Sequence, residues 1–192
     1  YATVLVESAS GGDDDNKIAS KMNLFPLIKR NEIAGKLAHV LPQYTIDTPM
    51  TSSPKRAIPF FYRFDLVYVV PIIAALSYFF YPYGLFSILL IVAFMLLGRW
   101  QWRSAAFAID DSQLTIRSRF LSRTTFIVHK NRIQSMEARQ SYFEQRRDVA
   151  SVGVTVMSGF GGSGAAVMHI ETQHADMLLS WFERERRNEI EQ

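Results

Sequence analysis

The chain has 192 residues, a formal net charge of +3 and an isoelectric point near 9.2, and 48% of its residues are hydrophobic. It contains no cysteine, which excludes disulfide bonds and agrees with a reducing compartment. Its basic residues lack interleaved aromatic side chains on one face, which argues against a nucleic-acid-binding protein. There is no secretory signal pattern at the start, and because the chain begins with Tyr1 rather than Met, we expect further sequence before it.

Residues 1–42 predict one good strand, a weak second strand and a short helix. The first strand alternates around Val4, the second carries Pro26 and suits only a sheet edge, and the helix follows the N-cap residue Asn31. Because these elements are too few to close a barrel, we interpret them as the tail of a preceding repeat. The Thr-, Ser- and Pro-rich residues 43–63 are the predicted linker.

A long apolar segment, residues 64–98, predicts a transmembrane helical hairpin. No charged side chain occurs from Leu66 to Gly98, a stretch longer than the about 20 residues that one span requires. The sequence Tyr81-Pro82-Tyr83-Gly84 supplies a turn, so we expect two arms over residues 66–81 and 85–98. The alternative is a buried hairpin in a water-soluble protein, but neither arm has the polar face of a surface helix.

Basic residues stand on both sides of this hairpin, whereas its tip is neutral. Because positive residues are retained on the cytoplasmic side of a membrane, we expect a multi-pass protein of the cell membrane with both flanking segments in the cytoplasm. The flanking basic residues are Lys55, Arg56, Arg63, Arg99 and Arg103.

Residues 99–192 predict an α+β domain. Six strand patterns with turns between them precede an amphipathic helix, which suits a small antiparallel β-barrel capped by a C-terminal helix. The apolar face of that helix comprises Ala175, Leu178, Leu179 and Phe182. The predicted strands span residues 106–109, 114–119, 124–130, 133–139, 152–158 and 165–171.

One motif occurs twice. Residues 4–12 and 154–162 both follow the pattern V-x-V-x-S-x-x-G-G, and each copy is followed by an amphipathic helix. The recurrence favours a duplicated domain over chance similarity between two common strands.

The sequence offers little for catalysis or metal binding. The glycine-rich residues 159–164 lack the lysine of a phosphate loop, and Asp13-Asp14-Asp15 lacks the alternating carboxylates of a calcium loop. The four histidines show no ligand spacing. We therefore expect no catalytic residue, cofactor or metal site.

Five basic residues form the strongest functional candidate, as a site for anionic headgroups or for a protein partner. Guanidinium groups suit phosphates because they bind them as a fork. The alternative is a solvated face that merely lies near an anionic leaflet. These residues are Arg117, Arg119, Arg123, Lys130 and Arg132.

Four short sequences carry a resemblance to a known family: Ile133-Gln134-Ser135, Gln140-Ser141, Gln145-Arg146-Arg147 and Val149-Ala150-Ser151-Val152. Together with the V-x-V-x-S strand they resemble the bacterial pleckstrin-homology (PH) family of the YdbS and YdbT type. Ser118 and Asp148 stand where that family often has glycine.

The resemblance implies a PH-like barrel preceded by a membrane hairpin, and no known catalysis. It also implies an envelope-associated role, since pairs of related proteins are linked to tolerance of membrane-active bacteriocins. The implied partners are membrane lipids and a related PH-domain membrane protein or a second copy, but not nucleic acid. The competing hypothesis is a small membrane enzyme or transporter subunit, which should carry an ionisable residue within the membrane. The sequence has none between Asp65 and Arg99.

Overall fold

The computed structural model describes residues 2–7, 21–29, 32–40, 44–45, 48–80, 88–110, 112–156 and 163–190. Its first part is a two-stranded antiparallel sheet of β1 (Ala2–Glu7) and β2 (Lys21–Ile28), followed by the helix α1 (Ile33–Val40). Pro26 lies in β2, which pairs with a single strand, β1, among the described residues.

Two apolar helices, α2 (Ile58–Phe79) and α3 (Ile88–Ser104), follow and pack against each other. A Cβ atom added at Gly98 of α3 would stand 2.6 Å from a ring carbon of Tyr62 of α2, so the close approach requires glycine. This contact joins the first half of α2 to the last half of α3, as in an antiparallel hairpin. The predicted turn at residues 81–84 lies outside the described residues.

Taken singly, none of the described helices has both the length and the apolar composition of a membrane span. The segments Lys55–Tyr62 and Val67–Phe79, which meet at an angle of 42°, reach that length and composition only as a bent pair. Helix α2 starts well before the predicted arm, with Pro59 in its first turn and Pro71 in its interior. An interior proline removes one helical hydrogen bond.

The C-terminal part contains two antiparallel sheets. The first has the order β3 (Thr51–Ser52), β4 (Ala106–Asp110), β5 (Gln113–Arg119) and β6 (Arg123–His129), and the second has the order β7 (Ile133–Arg139), β8 (Val149–Val156) and β9 (Ser163–Glu171). A 3-10 turn, Lys130–Arg132, leads from one sheet to the other. The helices of this part are α4 (Tyr142–Gln145) and α5 (Thr172–Ile190).

The two sheets share one apolar core. Side chains from both sheets belong to it, as do Ala175 and Leu178 of α5, with Phe182 partly buried against it. Antiparallel sheets with a helix agree with the predicted α+β class. The predicted barrel, however, is not closed: among the described residues no strand of one sheet pairs with a strand of the other, and side-chain packing joins the two. The largest fully buried side chains include Phe107, Leu114, Ile116, Ile170 and Leu178.

Part of the predicted linker is bound to the C-terminal sheets. The Thr45 N–H donates to Oε1 of Gln113 at 3.1 Å, and Nε2 of Gln113 donates to the Thr45 carbonyl at 2.7 Å. β3 extends the first sheet, and Oγ of Ser53 donates to the His169 carbonyl at 2.6 Å. These contacts are tertiary, so the composition that predicted a linker gave no sign of them.

Asp148 adopts a φ of 49°, in the left-handed region that favours glycine. It is one of the two positions where the resembling family often has glycine, and it forms the turn between α4 and β8. Its carbonyl accepts a hydrogen bond from the Thr172 N–H at 3.1 Å.

The predicted duplication stays a prediction, because residues 8–20 and 157–162, which hold the second half of each motif, lie outside the described residues.

Candidate functional site

Three of the five predicted basic residues share one face of the β5–β6 hairpin. Arg119 pairs directly with Arg123, and Arg117 pairs with Thr125. Directly opposite residues of an antiparallel pair point to the same side of the sheet, here the side opposite the buried Ile116. The structure therefore brings Arg117, Arg119 and Arg123 together, and Nε of Arg119 is buried without a hydrogen-bond partner among the described residues.

Lys130 and Arg132 lie elsewhere. They belong to the 3-10 turn that follows β6, at the opposite end of that strand from Arg123. An extended strand of this length spans about 20 Å. Nζ of Lys130 lies 4.5 Å from the ring centroid of Trp181 in a cation–π contact. The predicted set of five is therefore divided into two separate groups.

The tip of the β5–β6 hairpin is apolar and exposed. Phe120 is 75% exposed and Leu121 is 73% exposed, and they stand between Arg119 and Arg123. Sequence reasoning missed this pair. The available signal was two large apolar residues placed in a turn, where polar residues are usual.

This tip lies at the end of the domain from which α3 enters. Ala106, the first residue of β4, pairs with Arg117, so β5 continues past the start of β4 to Arg119 and the tip. β4 follows α3 almost directly along the chain, and α3 packs against β5. The arginine face and the apolar tip are therefore near the last turns of α3.

Helices α2 and α3 carry many exposed large apolar side chains on their portions farther from the sheets. Close to the sheets the pattern changes, because Phe60 and Phe61 are buried and Trp102 is partly buried against the same cluster. Nε1 of Trp102 donates to the Pro54 carbonyl at 3.1 Å. The exposed apolar residues are Val67, Tyr68, Val70, Ile72, Leu76, Tyr78, Phe79, Leu89, Leu90, Val92, Met95 and Leu96.

A buried polar pair lies where α2 meets the domain. Nδ1 of His169 lies 2.6 Å from Oε1 of Glu144. The other carboxylate oxygen of Glu144 accepts from the Ser141 N–H at 2.7 Å, which completes a capping box at the start of α4. The rings of Phe60 and Phe61 flank the imidazole, with centroids 5.3 and 4.9 Å away.

The ionisation of this pair follows from its surroundings. Burial lowers the pKa of His169, and the hydrogen bond and charge of Glu144 oppose this only in part. Burial alone would raise the pKa of Glu144, but hydrogen bonds from Ser141 and His169 outweigh it and lower the pKa. The result is a neutral imidazole whose Nδ1–H donates to a carboxylate.

The arrangement is structural in character. Oγ of Ser151 donates to Oε1 of Glu144 at 3.3 Å rather than to the imidazole of His169. A catalytic triad requires the hydroxyl to donate to the histidine, so this cluster is not arranged as one. In the part of the chain that the structure describes, no three His, Asp or Glu side chains are placed to hold a metal ion.

Two comparisons relate this chain to known proteins. The family model described as "Bacterial PH domain" matches residues 63–186. The chain is 29% identical over 186 residues to the UPF0699 transmembrane protein YdbT of Bacillus subtilis (strain 168), an alignment that covers 97% of this chain and 38% of that protein. The chain therefore spans less than half the length of this relative. No solved structure matches it significantly. The resemblance seen in the sequence is confirmed, and the chain belongs to the bacterial PH domain family.

Proposed function

We propose that this chain is a non-catalytic, membrane-anchored PH-like binding module. The α2–α3 hairpin is embedded in the cell membrane, and the PH-like domain lies at its cytoplasmic face. The observation that carries this proposal is the exposed apolar surface of the two helices. Large contiguous apolar surfaces are rare on proteins in water, and lipid would cover this one favourably, by about 25 cal/mol per Å². The name of the Bacillus relative, a transmembrane protein, supports the same reading.

The charges at the base of the hairpin support the orientation. Lys55 and Arg56 precede α2, and Arg99 and Arg103 lie in the last turns of α3, so the basic residues collect at the domain end of both helices. Positive residues of this kind stay in the cytoplasm.

The β5–β6 hairpin supplies the binding role. Arg119 and Arg123 stand directly opposite each other, so the hairpin concentrates positive charge on one face. Anionic headgroups are attracted to that charge, and the apolar tip formed by Phe120 and Leu121 suits the layer just beneath the headgroups. The proposed ligand is therefore an anionic membrane surface, contacted by the arginine face and penetrated by the tip.

Single cysteines test the anchoring and the orientation, because the chain has no cysteine of its own. In intact cells an impermeant thiol reagent should label Tyr83→Cys at the predicted tip of the membrane hairpin and spare Ser112→Cys in the domain. Both should react after permeabilisation, and alkaline carbonate should leave the protein in the membrane. Labelling of Ser112→Cys in intact cells would overturn the orientation, and extraction by carbonate would overturn the anchoring.

The proposal includes a partner and a physiological role. A related PH-domain membrane protein or a second copy of this chain would share the membrane with it, and together they would serve tolerance of membrane-active bacteriocins. A deletion strain should become more sensitive to such bacteriocins. The parent gene should restore tolerance, and a variant with Arg117, Arg119 and Arg123 changed to Gln should not. Unchanged sensitivity of the deletion strain would exclude this role.

A further inference from the structure

A cleft of about 270 Å³ lies where the start of α2 meets the end of α4. Its walls are Pro59 and Phe60 from α2, Phe143 from α4, and Arg146 and Arg147 from the turn that follows. Two cations and three apolar side chains thus face one small space. This combination suits a ligand that has an anionic group next to an apolar part.

Aromatic rings and a backbone carbonyl contact the two guanidinium groups. Arg146 lies over the ring of Tyr142, with its Cζ 5.2 Å from the centroid. Arg147 lies 6.0 Å from the centroid of Phe60, and its Nη1 donates to the Arg56 carbonyl at 3.5 Å. None of the ion pairs among the described residues includes Arg146 or Arg147.

The neighbouring carboxylates are already engaged. Nη2 of Arg56 lies 2.8 Å from Glu171, and Nη1 of the same residue lies 3.7 Å from Asp148. Glu144 is turned away to His169 and Ser141. Among the described side chains no carboxylate pairs with Arg146 or Arg147, so an anion that enters the cleft would meet two positive charges.

The position of the cleft along α2 also suits a site at the level of the lipid headgroups. Val67, an exposed apolar residue of this helix, lies seven residues after Phe60, a separation of at most about 10 Å because the helix bends between them. The polar layer on each side of a bilayer is about 5–8 Å thick. If the apolar portion of α2 is in the hydrocarbon, the cleft opens close to the headgroups.

We propose that this cleft binds the phosphate of an anionic lipid headgroup, with Arg146 and Arg147 as the phosphate ligands and Phe143 and Pro59 against the adjoining apolar part. The inference rests on the proposed function, because it requires α2 to be in the membrane. The ligand would be a phosphate ester or a phosphate ion held by two guanidinium groups. The cleft is a different site from the arginine face of the β5–β6 hairpin.

The test uses the full chain in detergent and follows its thermal unfolding. Short-chain phosphatidylglycerol should raise the Tm in a saturable way, and short-chain phosphatidylcholine should not. Arg146→Gln should weaken the apparent affinity for phosphatidylglycerol about tenfold, as expected for the loss of a charge-assisted hydrogen bond. Arg139→Gln removes a positive charge that is also exposed, on β7, and should leave the affinity unchanged.

Inorganic phosphate distinguishes the two sources of the anion. A shift that depends on Arg146 with phosphatidylglycerol but not with phosphate supports a headgroup site. An equal Arg146-dependent shift with phosphate would overturn the headgroup assignment and make this a site for free phosphate. No Arg146-dependent shift with either probe would overturn the site itself. Carbonate extraction of the same variants reports on the anchoring separately, so a failure of the cleft is distinguishable from a failure of the proposed function.

Discussion

Nδ1 of His169 and Oε1 of Glu144 lie 2.6 Å apart, which ties β9 to α4 across 25 positions of sequence. Phe60 and Phe61 of α2 pack on the same imidazole, and Ser53 binds the carbonyl of His169. His169 itself has a φ of 54°, a conformation that this crowded setting maintains. The pair therefore holds the domain and the base of α2 together.

The stability of the protein should fall on acidification. The pKa of folded His169 lies below its ordinary value of 6.5, so below about pH 6.5 the unfolded chain takes up a proton that the folded protein does not. The free energy of unfolding therefore decreases from pH 6.5 down to the pKa of folded His169. The stabilisation from Glu144 is present above its ordinary pKa of 4.5 and is lost as the pH falls through its lowered folded pKa. Thermal unfolding at pH 8, 7, 6 and 5 measures the effect.

His169→Gln provides the control for this pH dependence. It keeps a side chain of similar polarity but cannot titrate, so the decrease in Tm between pH 7 and pH 5 should be smaller than in the parent. A parent Tm that stays constant across this interval, or an equal decrease in the variant, would contradict the assignment.

Removing the negative charge of Glu144 should also lower the free energy of unfolding. Glu144→Gln replaces a charged acceptor of the Ser141 N–H and of His169 with a neutral amide, and the expected loss is about 1–3 kcal/mol of unfolding free energy. The matched control is Glu137→Gln, whose exposed ion pair with Arg139 should contribute about 0–1 kcal/mol. Denaturant unfolding compares the two, and equal losses would mean that burial of the pair is unimportant.

The attachment of α5 can be tested through its core side chain. Leu178 is 1% exposed and lies in the core shared by both sheets, so Leu178→Ala should cost about 2–5 kcal/mol. Its neighbour Met177 is 46% exposed, and Met177→Ala should change the stability by about 0.5 kcal/mol or less. If both variants unfold like the parent, the predicted helix cap does not stabilise the sheets.

The sequence predicts those strands that are long enough to show a local pattern. The strand patterns place β7 at the predicted residues 133–139 and β5 within one residue of its predicted start. β3 was not predicted, since Thr51–Ser52 is too short to show a period and forms only by pairing with β4. The local sequence likewise carries no signal for any other contact that depends on a distant partner.

The candidate site shows this limit most clearly. Alternation correctly put Arg117 and Arg119 on one strand face, but the separation of Lys130 from them depends on the direction of β6 in the folded sheet. Glu144 gave a local signal, the spacing Ser141-x-x-Glu144 of a capping box. Its partner His169 gave none, because only the tertiary fold brings β9 beside α4.

The apolar tip of the β5–β6 hairpin should reach the membrane interface. A nitroxide on Leu121→Cys in the full chain, reconstituted in vesicles that contain phosphatidylglycerol, should collide more with oxygen, which concentrates in lipid, than with a water-soluble nickel complex. Asn131→Cys provides the control, because it is exposed in the turn at the far end of β6 and should show the reverse. Water-like accessibility at Leu121 would place the tip away from the bilayer.

The arginines that flank this tip should hold it at the membrane. In the Leu121→Cys background, changing Arg119 and Arg123 to Gln removes the two directly opposed cations, so the nitroxide should become more accessible to the nickel complex. Raising the salt from 0.1 M to 1 M should do the same in the unmodified background, because the Debye length shrinks from ~10 Å to ~3 Å. Changing Lys130 and Arg132 to Gln removes the same charge from the other end of β6 and should have no such effect. If the two double variants behave alike, net charge rather than the arginine face positions the tip.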